Sequence, residues 1–252
     1  MPIPEHVEEF GPASYFNEGV PWTLYWVRDE NILYRNYPIR GAHIPTFRFY
    51  MGSFAKDRKN CYCTSSRLVG ADPANFRALN YTYVTDGVHV WTMGGQIKDV
   101  DAATFVVCDD GVKQLHSGYV PYGFGKDKNR VYYYDFDGKP NWVRKANPAT
   151  FVSLNDGYIG KDDSFVFCGT AVIPKANVRS WTKIGGNYSK DDSRIFYHNR
   201  GVPGADYETF VFVPSGKDYV QLARDKQNFY CNDKPIDEQE FLKLSSGAQK
   251  QI

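Results

Sequence analysis

The stretch KDKNRVYYYDFDGKP at residues 126–140, followed by ANPATF at 146–151, contains the pattern that decides the fold. An Asp opens a polar turn, a run of Val and Tyr follows, and a Gly-containing step leads to a phrase that ends in Phe. Asp, Asn and Gly are typical of tight turns, whereas Val and aromatic residues are typical of strands. The stretch therefore predicts a strand, a turn, a second strand and then a short helical turn.

The same pattern recurs along the whole chain. Each copy has an Asp, an aromatic residue five positions after it, and a second aromatic residue usually about 19 positions after it. Aromatic residues make up 16% of the chain, so seven matches in seven copies indicate an internal repeat rather than chance. The aligned residues are Asp29, Asp57, Asp86, Asp127, Asp162, Asp191 and Asp225, then Tyr34, Tyr62, Trp91, Tyr132, Phe167, Phe196 and Tyr230, then Phe47, Phe76, Phe105, Phe151, Trp181, Phe210 and Phe241.

Each copy predicts the same small unit. In the phrase ADPANF, Asp72 is suited to cap a helical turn, Pro73 to occupy its first position, and Phe76 to enter the core. A further strand then leads to the next Asp, so we expect strand, turn, strand, helical turn and strand in every unit. The predicted fold is all-β, with about seven repeats of short antiparallel strands and brief helical turns.

The arrangement of the units has two alternatives. Units of about 29 to 35 residues are shorter than propeller blades of about 40 to 45, which favours an open curved array over a propeller-like closed ring. We expect residues 1–252 to form a single repeat domain. Within it, residues 1–28 are an N-terminal capping segment, in which Trp22 and Trp26 form a strand over the end of the array, and residues 29–252 are the repeats.

These motifs resemble the bacterial DKNYY repeat family over roughly residues 29–244. KDDSRIFYHNRGVPGADYETF at 190–210 matches the pattern of 126–151, while RDKQNFYCNDKPIDEQEF at 224–241 and KDRKNCYCTSSRLVGADPANF at 56–76 are weaker copies. Asp29 and Asp86 lack the preceding Lys, which marks repeats one and three as degenerate. The resemblance implies no assigned chemistry. Some cytosolic members look like immunity proteins that are paired with secreted toxins.

Composition and charge narrow the classes of function. The 252 residues carry 30 Lys and Arg against 29 Asp and Glu, a net charge of +1, which argues against a general nucleic-acid binder or a polybasic membrane binder. The N-terminus carries Glu5, Glu8 and Glu9 where a signal peptide needs a basic start. Five cysteines without disulfide-framework spacing fit a reducing compartment. We therefore expect a cytoplasmic protein that does not bind membranes.

The candidate chemical residues favour structural roles. Cys63, Cys168 and Cys231 occupy one repeat position, so we interpret them as free thiols rather than metal ligands. The five histidines form no metal motif, and a Cys–His pair assembled only in three dimensions stays open. The acidic doublets, among them Asp109-Asp110, are interpreted as turns rather than calcium ligands. GYVPYGFGK at 118–126 is expected to be a loop. We expect no enzyme, no cofactor and no metal.

The interruptions of the repeat suggest where a partner binds. The largest gap between aligned Asp residues, 41 positions, precedes Asp127 and includes the extra segment 109–124, and repeat four carries a further excess at 135–137. Insertions in repeat proteins become loops that are commonly on the binding face, where aromatic residues contribute most of the energy. The predicted partner-binding residues are Tyr119, Tyr122, Phe124, Asp135, Phe136 and Asp137. The alternative is that these aromatic residues cover the seam between repeats.

The sequence therefore predicts a non-catalytic protein-binding repeat protein. The specific expectation is a cytosolic immunity protein that inhibits a cognate secreted toxin, such as a basic nuclease that the carboxylates attract, as a monomer in a 1:1 complex. It is not expected to contact nucleic acid directly. A carbohydrate- or ligand-binding module and an enzyme with an unrecognised site are the alternatives.

Overall fold

The computed structural model describes residues 11–12, 14–15, 25–50, 53–115, 118–136, 138–215, 217 and 219–245. Within these ranges the chain forms seven small sheets that follow one another in chain order, together with one separate hairpin. Neighbouring strands pair antiparallel throughout, except that β2 runs parallel to β3. The predicted all-β repeat array is confirmed.

The seven sheets define the seven units. Unit one contains β2 Ser14–Tyr15, β3 Tyr25–Arg28, β4 Asn31–Tyr34 and β5 Tyr37–Pro38. Unit two contains β1 Gly11–Pro12, β6 Arg48–Phe49, β7 Phe54–Lys56, β8 Cys61–Cys63 and β9 Ser66–Arg67. Unit three contains β10 Arg77–Ala78, β11 Val84–Thr85, β12 Val90–Thr92 and β13 Gly95–Gln96. Unit four contains β14 Val106–Val107, β17 Gly123–Lys126, β18 Val131–Tyr134 and β19 Asn141–Trp142, and the hairpin β15 Val112–Leu115 and β16 Gly118–Pro121 lies between its first two strands.

The last three units are regular. Unit five contains β20 Val152–Ser153, β21 Ile159–Lys161, β22 Val166–Cys168 and β23 Ala171–Val172. Unit six contains β24 Thr182–Gly185, β25 Tyr188–Lys190, β26 Ile195–Tyr197 and β27 Arg200–Gly201. Unit seven contains β28 Val211–Val213, β29 Leu222–Arg224, β30 Phe229–Cys231 and β31 Lys234–Ile236. A 3-10 helix at Ile44–Thr46 lies in the first linker, and the helix α1 at Glu238–Ser245 follows unit seven.

Each unit has four strands of its own rather than the three that the sequence predicts, and the sheet of unit two has β1 in addition. The residues just after each aromatic anchor pair with the residues just before the next Asp. The single strand that the sequence predicts between the anchor and the next Asp is therefore a hairpin of two strands. Its first strand is only two to four residues long, which is too short to show an alternating pattern. The strand that contains Trp26 is the second strand of unit one, whereas Trp22 lies outside the described residues.

The aligned Asp residues fix one end of the array, which we call the Asp end. In unit two, Asp57 Oδ1 accepts hydrogen bonds from the backbone N–H groups of Lys59 and Asn60, at 2.7 and 2.8 Å. Its Oδ2 accepts the Tyr62 hydroxyl and the N–H of His43 in the incoming linker, both at 2.8 Å. The same bonds to the turn and to the incoming linker recur at Asp86, Asp127, Asp162, Asp191 and Asp225.

Repeats one and three depart from this pattern to different extents. Asp29 has 87% of its side chain exposed, and no linker N–H of the described residues reaches it, so unit one is degenerate as expected. Asp86 keeps the full set, because the ring Nδ1 of His89 lies 3.2 Å from its Oδ2 in place of a tyrosine hydroxyl. Repeat three is therefore intact, and the missing Lys did not signal a lost turn.

Tyrosine hydroxyls join the units at the opposite end, which we call the turn end. It carries the connections between first and second strands and between third and fourth strands. Tyr83 donates to the carbonyl of Gly123 in the next unit at 2.8 Å, and Tyr188 donates to that of Gln221 at 3.0 Å. Equivalent bonds run from Tyr25 to Ser53, from Tyr133 to Gly157 and from Tyr158 to Gly186. We call these bonds the tyrosine rungs.

The two aromatic positions of each repeat form the core. Every one of these fourteen rings is at most 8% exposed, which confirms their predicted role. The second aromatic residue of the repeat packs against the residue two positions before the next aligned Asp. A Cβ at Gly125 would lie 2.3 Å from Phe105 Cζ, and one at Gly160 would lie 2.3 Å from Phe151 Cζ. These glycines are therefore packing positions, needed where two elements approach closely.

The buried clusters run from unit to unit. Five of the six clusters combine residues of neighbouring units, and the sixth joins unit seven to Phe241 of α1. In the part of the chain that the structure describes, no cluster joins unit one to unit seven. This is the packing of an open array.

The segment 118–126 is not the loop that its glycines suggest. Gly118–Pro121 pairs with Val112–Leu115 as the separate hairpin, and Gly123–Lys126 is the second strand of unit four. Gly123 is needed because a Cβ there would lie 2.3 Å from Asp109 Oδ1. Close packing, not turn formation, accounts for these glycines.

Replacing Asp57 by Ala is expected to lower the free energy of unfolding by about 2–4 kcal/mol, because it removes four hydrogen bonds and leaves the buried Tyr62 hydroxyl without an acceptor. The matched control is Asp29→Ala, which removes the Asp of the same repeat position in unit one, where the side chain is exposed. This change should alter the free energy of unfolding by less than about 0.5 kcal/mol. Urea unfolding measures both. Equal effects would show that the carboxylate does not hold the array.

Replacing Phe196 by Ala is expected to cost about 3–5 kcal/mol, because the ring is 1% exposed and its removal leaves a cavity in the core. Tyr132→Ala should have a similar effect. Such variants should lose binding of a partner only by unfolding. A Phe196→Ala protein that melts like the wild type but no longer binds would instead identify a functional residue.

Candidate protein-binding surface

The two ends of the array differ in regularity. At the Asp end, one pattern of hydrogen bonds recurs in units two to seven. The turn end carries the inserted hairpin, the longer connection after β18, and the long connection between β28 and β29. Two surface depressions also lie at the turn end. The departures from the repeat are thus concentrated on one side of the molecule.

The inserted hairpin is anchored at its base by Asp109. The Asp109 carboxylate accepts hydrogen bonds from the N–H groups of Gly111 and Phe124, at 3.0 and 2.9 Å. It also accepts the hydroxyl of Ser153 in unit five at 2.9 Å. On the other side, the Asn80 side chain of unit three donates to the Asp109 carbonyl at 2.9 Å. The insertion is therefore held by both neighbouring units.

The environment of Asp109 changes its titration. Burial raises the pKa of this carboxyl to about 6, and its three hydrogen-bond donors only partly oppose the shift. Asp110, the second member of the doublet, accepts a hydrogen bond from the Asn155 side chain at 2.8 Å. The doublet thus fixes the hairpin to unit five, in keeping with the predicted turn role.

The six residues predicted to bind a partner are not equivalent. Phe124 is fully buried, 4.6 Å from the Tyr133 ring and 5.0 Å from the Phe151 ring, so it covers the seam between units and is inaccessible to a partner. Tyr122 is partly buried under Lys113 Nζ, at 5.3 Å from the ring centroid.

The remaining predicted residues lie near the surface or outside the description. Phe136 is 45% exposed, and Asp135 before it is partly buried. The side chain of Tyr119 and all of Asp137 lie outside the described residues. A binding role for Asp135 and Phe136 stays a prediction.

Phe136 lies on the larger depression, which has a volume of about 460 Å³. This depression, which we call the aromatic depression, gathers side chains from units one to four and from the inserted hairpin. Its lining is Tyr34, Arg35, Tyr37, Ser53, Thr64, Ser65, Tyr81, Met93, Val120, Pro121 and Phe136. Most of these residues belong to the connections of the turn end, and the side chains are mainly apolar.

Sequence reasoning found only one member of this lining. Arg35, Thr64 and Met93 all lie six or seven positions after their Asp, so the repeat alignment does place them at one end of the array. The curvature that brings unit one near the hairpin and unit four has no signal in the sequence. For that reason Tyr37 and Tyr81 could not be selected.

The smaller depression, of about 330 Å³, contains a Cys–His contact. Cys168 Sγ of unit five lies 3.6 Å from His198 Nδ1 of unit six, and Tyr197, Arg200 and Asp233 also line the depression. The pair follows from the repeat, because these residues lie six and seven positions after their Asp in successive units.

Both members of this pair are held in their neutral forms. Burial raises the pKa of the Cys168 thiol to about 12, and nearby Asp156 acts in the same direction. Burial, together with the charges of Lys113 and Arg200, lowers the pKa of His198. A nucleophilic pair needs the opposite shift at cysteine, toward the thiolate. The geometry is therefore that of a neutral thiol–imidazole hydrogen bond.

Other features bear on the class of protein. Among the described residues, no group of three or more His, Cys, Asp or Glu side chains is placed to hold a metal ion. The five cysteines are free thiols, two of them buried. The only α-helix of the described ranges, α1, has eight residues, and no helix there is long and apolar enough to cross a membrane.

Comparison with known proteins gives one match. The model of the DKNYY family matches residues 54–200, more than half of the chain. No curated protein sequence and no solved structure matches the chain significantly. The matched range begins at β7 in unit two and ends at the first residue of β27 in unit six, and it includes the Asp turns of units two to six.

The stability of the protein is expected to fall as the pH rises from about 4 to about 6. The pKa of Asp109 is about 6 in the fold against 3.8 ordinarily, so the folded state binds a proton there that the unfolded chain has released. The contribution is on the order of 2–3 kcal/mol, present below pH 4 and lost by pH 6. Urea unfolding of the wild type and of Asp109→Asn at each pH measures it, and the decline should be absent from the variant. Parallel pH profiles would contradict the assignment.

Proposed function

The chain belongs to the DKNYY family, and on that premise we propose that it is a non-catalytic protein-binding repeat protein whose partner docks on the turn end. In its most specific form, the proposal is a cytoplasmic immunity protein. It binds a cognate secreted bacterial toxin, such as a nuclease, in a 1:1 complex and blocks the activity of that toxin.

The aromatic depression is the observation that carries this proposal. It combines side chains of four successive units with the inserted hairpin, so the extended array and the insertion contribute to one surface. Tyr37 is 65% exposed and Phe136 is 45% exposed. Exposed aromatic residues around an apolar depression are typical of the energetic centre of protein interfaces.

The Asp end supports binding less well. The aligned carboxylates of units two to six are buried and already accept hydrogen bonds from the turns and linkers, so they have little capacity left for a partner. A residue change there acts on stability first, because the same bonds hold successive units together.

The alternatives have weaker support from the geometry. The Cys168–His198 pair is neutral, which disfavours nucleophilic catalysis. For a carbohydrate-binding role, Trp142 is the only tryptophan that is strongly exposed among the described residues, at 49%. The guanidinium of Arg130 lies 4.9 Å from its ring centroid, so one face of this platform is already covered.

The test uses the toxin encoded beside the gene of this protein. Purified protein should inhibit the toxin stoichiometrically, and Tyr37→Ala and Phe136→Ala should each weaken the complex by about 10- to 100-fold, as expected for aromatic hot spots. The matched control is Tyr207→Ala, which removes a tyrosine that is 38% exposed in a linker at the Asp end and should leave the affinity unchanged.

Affinity and melting temperature are measured on the same samples, so that loss of fold is separated from loss of contact. If no neighbouring toxin is bound, the immunity role is wrong. If the toxin is bound but only Tyr207→Ala weakens the complex, the partner docks on the Asp end instead.

A further inference from the structure

We propose that the aromatic depression receives an aromatic side chain of the partner that is flanked by carboxylates, with Arg35 as the cation that binds them. This inference rests on the proposed function and specifies the chemistry of the segment that docks.

One tyrosine rung is missing beside the depression. In unit two the rung position is occupied by Phe54, which is 1% exposed and has no hydroxyl to donate to unit three. Cys63 replaces the tyrosine that forms the rung between units four and five. The turn ends of units two and three are thus not joined by a rung, and Ser53, Thr64 and Met93 of these units line the depression.

The lining favours an aromatic occupant. Tyr34, Tyr81 and Met93 are buried or partly buried beneath the surface, while Tyr37 and Phe136 stand exposed beside them. Aromatic rings gain from edge and offset contacts with such neighbours, and methionine sulfur adds favourable contacts with rings. The volume of about 460 Å³ is within the range of ligand-binding pockets.

The charge of the depression selects the flanking residues. Among the described residues, Arg35 is the only charged member of the lining, and none of the carboxylates described there lines the depression. Arg35 is exposed and its guanidinium lies 6.0 Å from the Tyr34 ring centroid; none of the described residues forms an ion pair with it. An arginine beside an apolar surface binds a carboxylate through paired hydrogen bonds. The preferred segment is therefore acidic, whereas Asp135 and Asp137 were expected to attract a basic one.

The test uses three blocked tripeptides titrated into the full-length protein and followed by ¹H–¹⁵N NMR. Acetyl-Glu-Trp-Glu-amide should bind with a millimolar Kd and shift the amides of Thr64, Ser65 and Met93, which line the depression. Acetyl-Lys-Trp-Lys-amide and acetyl-Glu-Ala-Glu-amide should each bind at least about fivefold more weakly, the first for lack of charge complementarity and the second for lack of the ring.

Arg35→Glu should reverse the order of the Glu-Trp-Glu and Lys-Trp-Lys peptides. The matched control is Arg179→Glu, the same charge change at an exposed linker residue of the Asp end, which should leave the order unchanged. Both residues are exposed, and a melting curve verifies that each variant is folded.

Equal binding of the three peptides, no shift at the lining amides up to about 10 mM peptide, or an order unaffected by Arg35→Glu would overturn this inference. These outcomes are independent of the toxin experiment. A toxin that binds the turn end while the peptides fail would leave the proposed function standing and remove only the acidic aromatic segment.

Discussion

The carboxylate in the turn between the second and third strands is the interaction on which the array depends. One oxygen closes the turn, and the other accepts an N–H of the linker that enters the unit. Because the aromatic anchor follows that N–H by four residues, the carboxylate also fixes where the anchor enters the core. Burial by itself raises the pKa of four of these carboxyls, those of Asp57, Asp86, Asp191 and Asp225. At Asp57, Asp86, Asp191 and Asp225 the hydrogen bonds outweigh burial and hold the pKa below its usual range, so their contribution to stability is complete above pH about 4 and is lost in acid.

This constraint divides the molecule into two functional halves. The aligned Asp residues of units two to seven cannot change without loss of stability, because each carboxylate accepts a bond within a turn and a bond from a linker at once. At the turn end, tyrosine hydroxyls donate to backbone carbonyls of the next unit, and such contacts accept replacement more readily. Insertions are therefore tolerated at the turn end, where the hairpin, the long connection of unit four and both depressions are found.

The sequence predicts the periodic part of this structure and fails on the rest for physical reasons. The Asp turns, the aromatic core and the open array follow from residues that recur at fixed spacing. The sequence does not predict the first strand of each unit, because that strand is only two to four residues long, and it does not predict the strands within 118–126, because Gly123 serves packing rather than a turn. Of the predicted site, Phe124 proved to be core while Phe136 lies on the depression. The other lining residues come together through curvature, which is a property of the whole array.

The departures from the repeat have opposite effects at the two ends. At the Asp end, unit three replaces the usual aromatic hydroxyl by His89, and the contact with the Asp86 carboxylate is kept. At the turn end, Phe54 replaces a tyrosine and the rung is lost. The hairpin then contributes Val120 and Pro121, and the long connection of unit four contributes Phe136, to the surface next to the lost rung. Three irregularities therefore converge on one depression, at the place where a rung that would add to stability is absent, and this convergence is what the proposed binding surface accounts for.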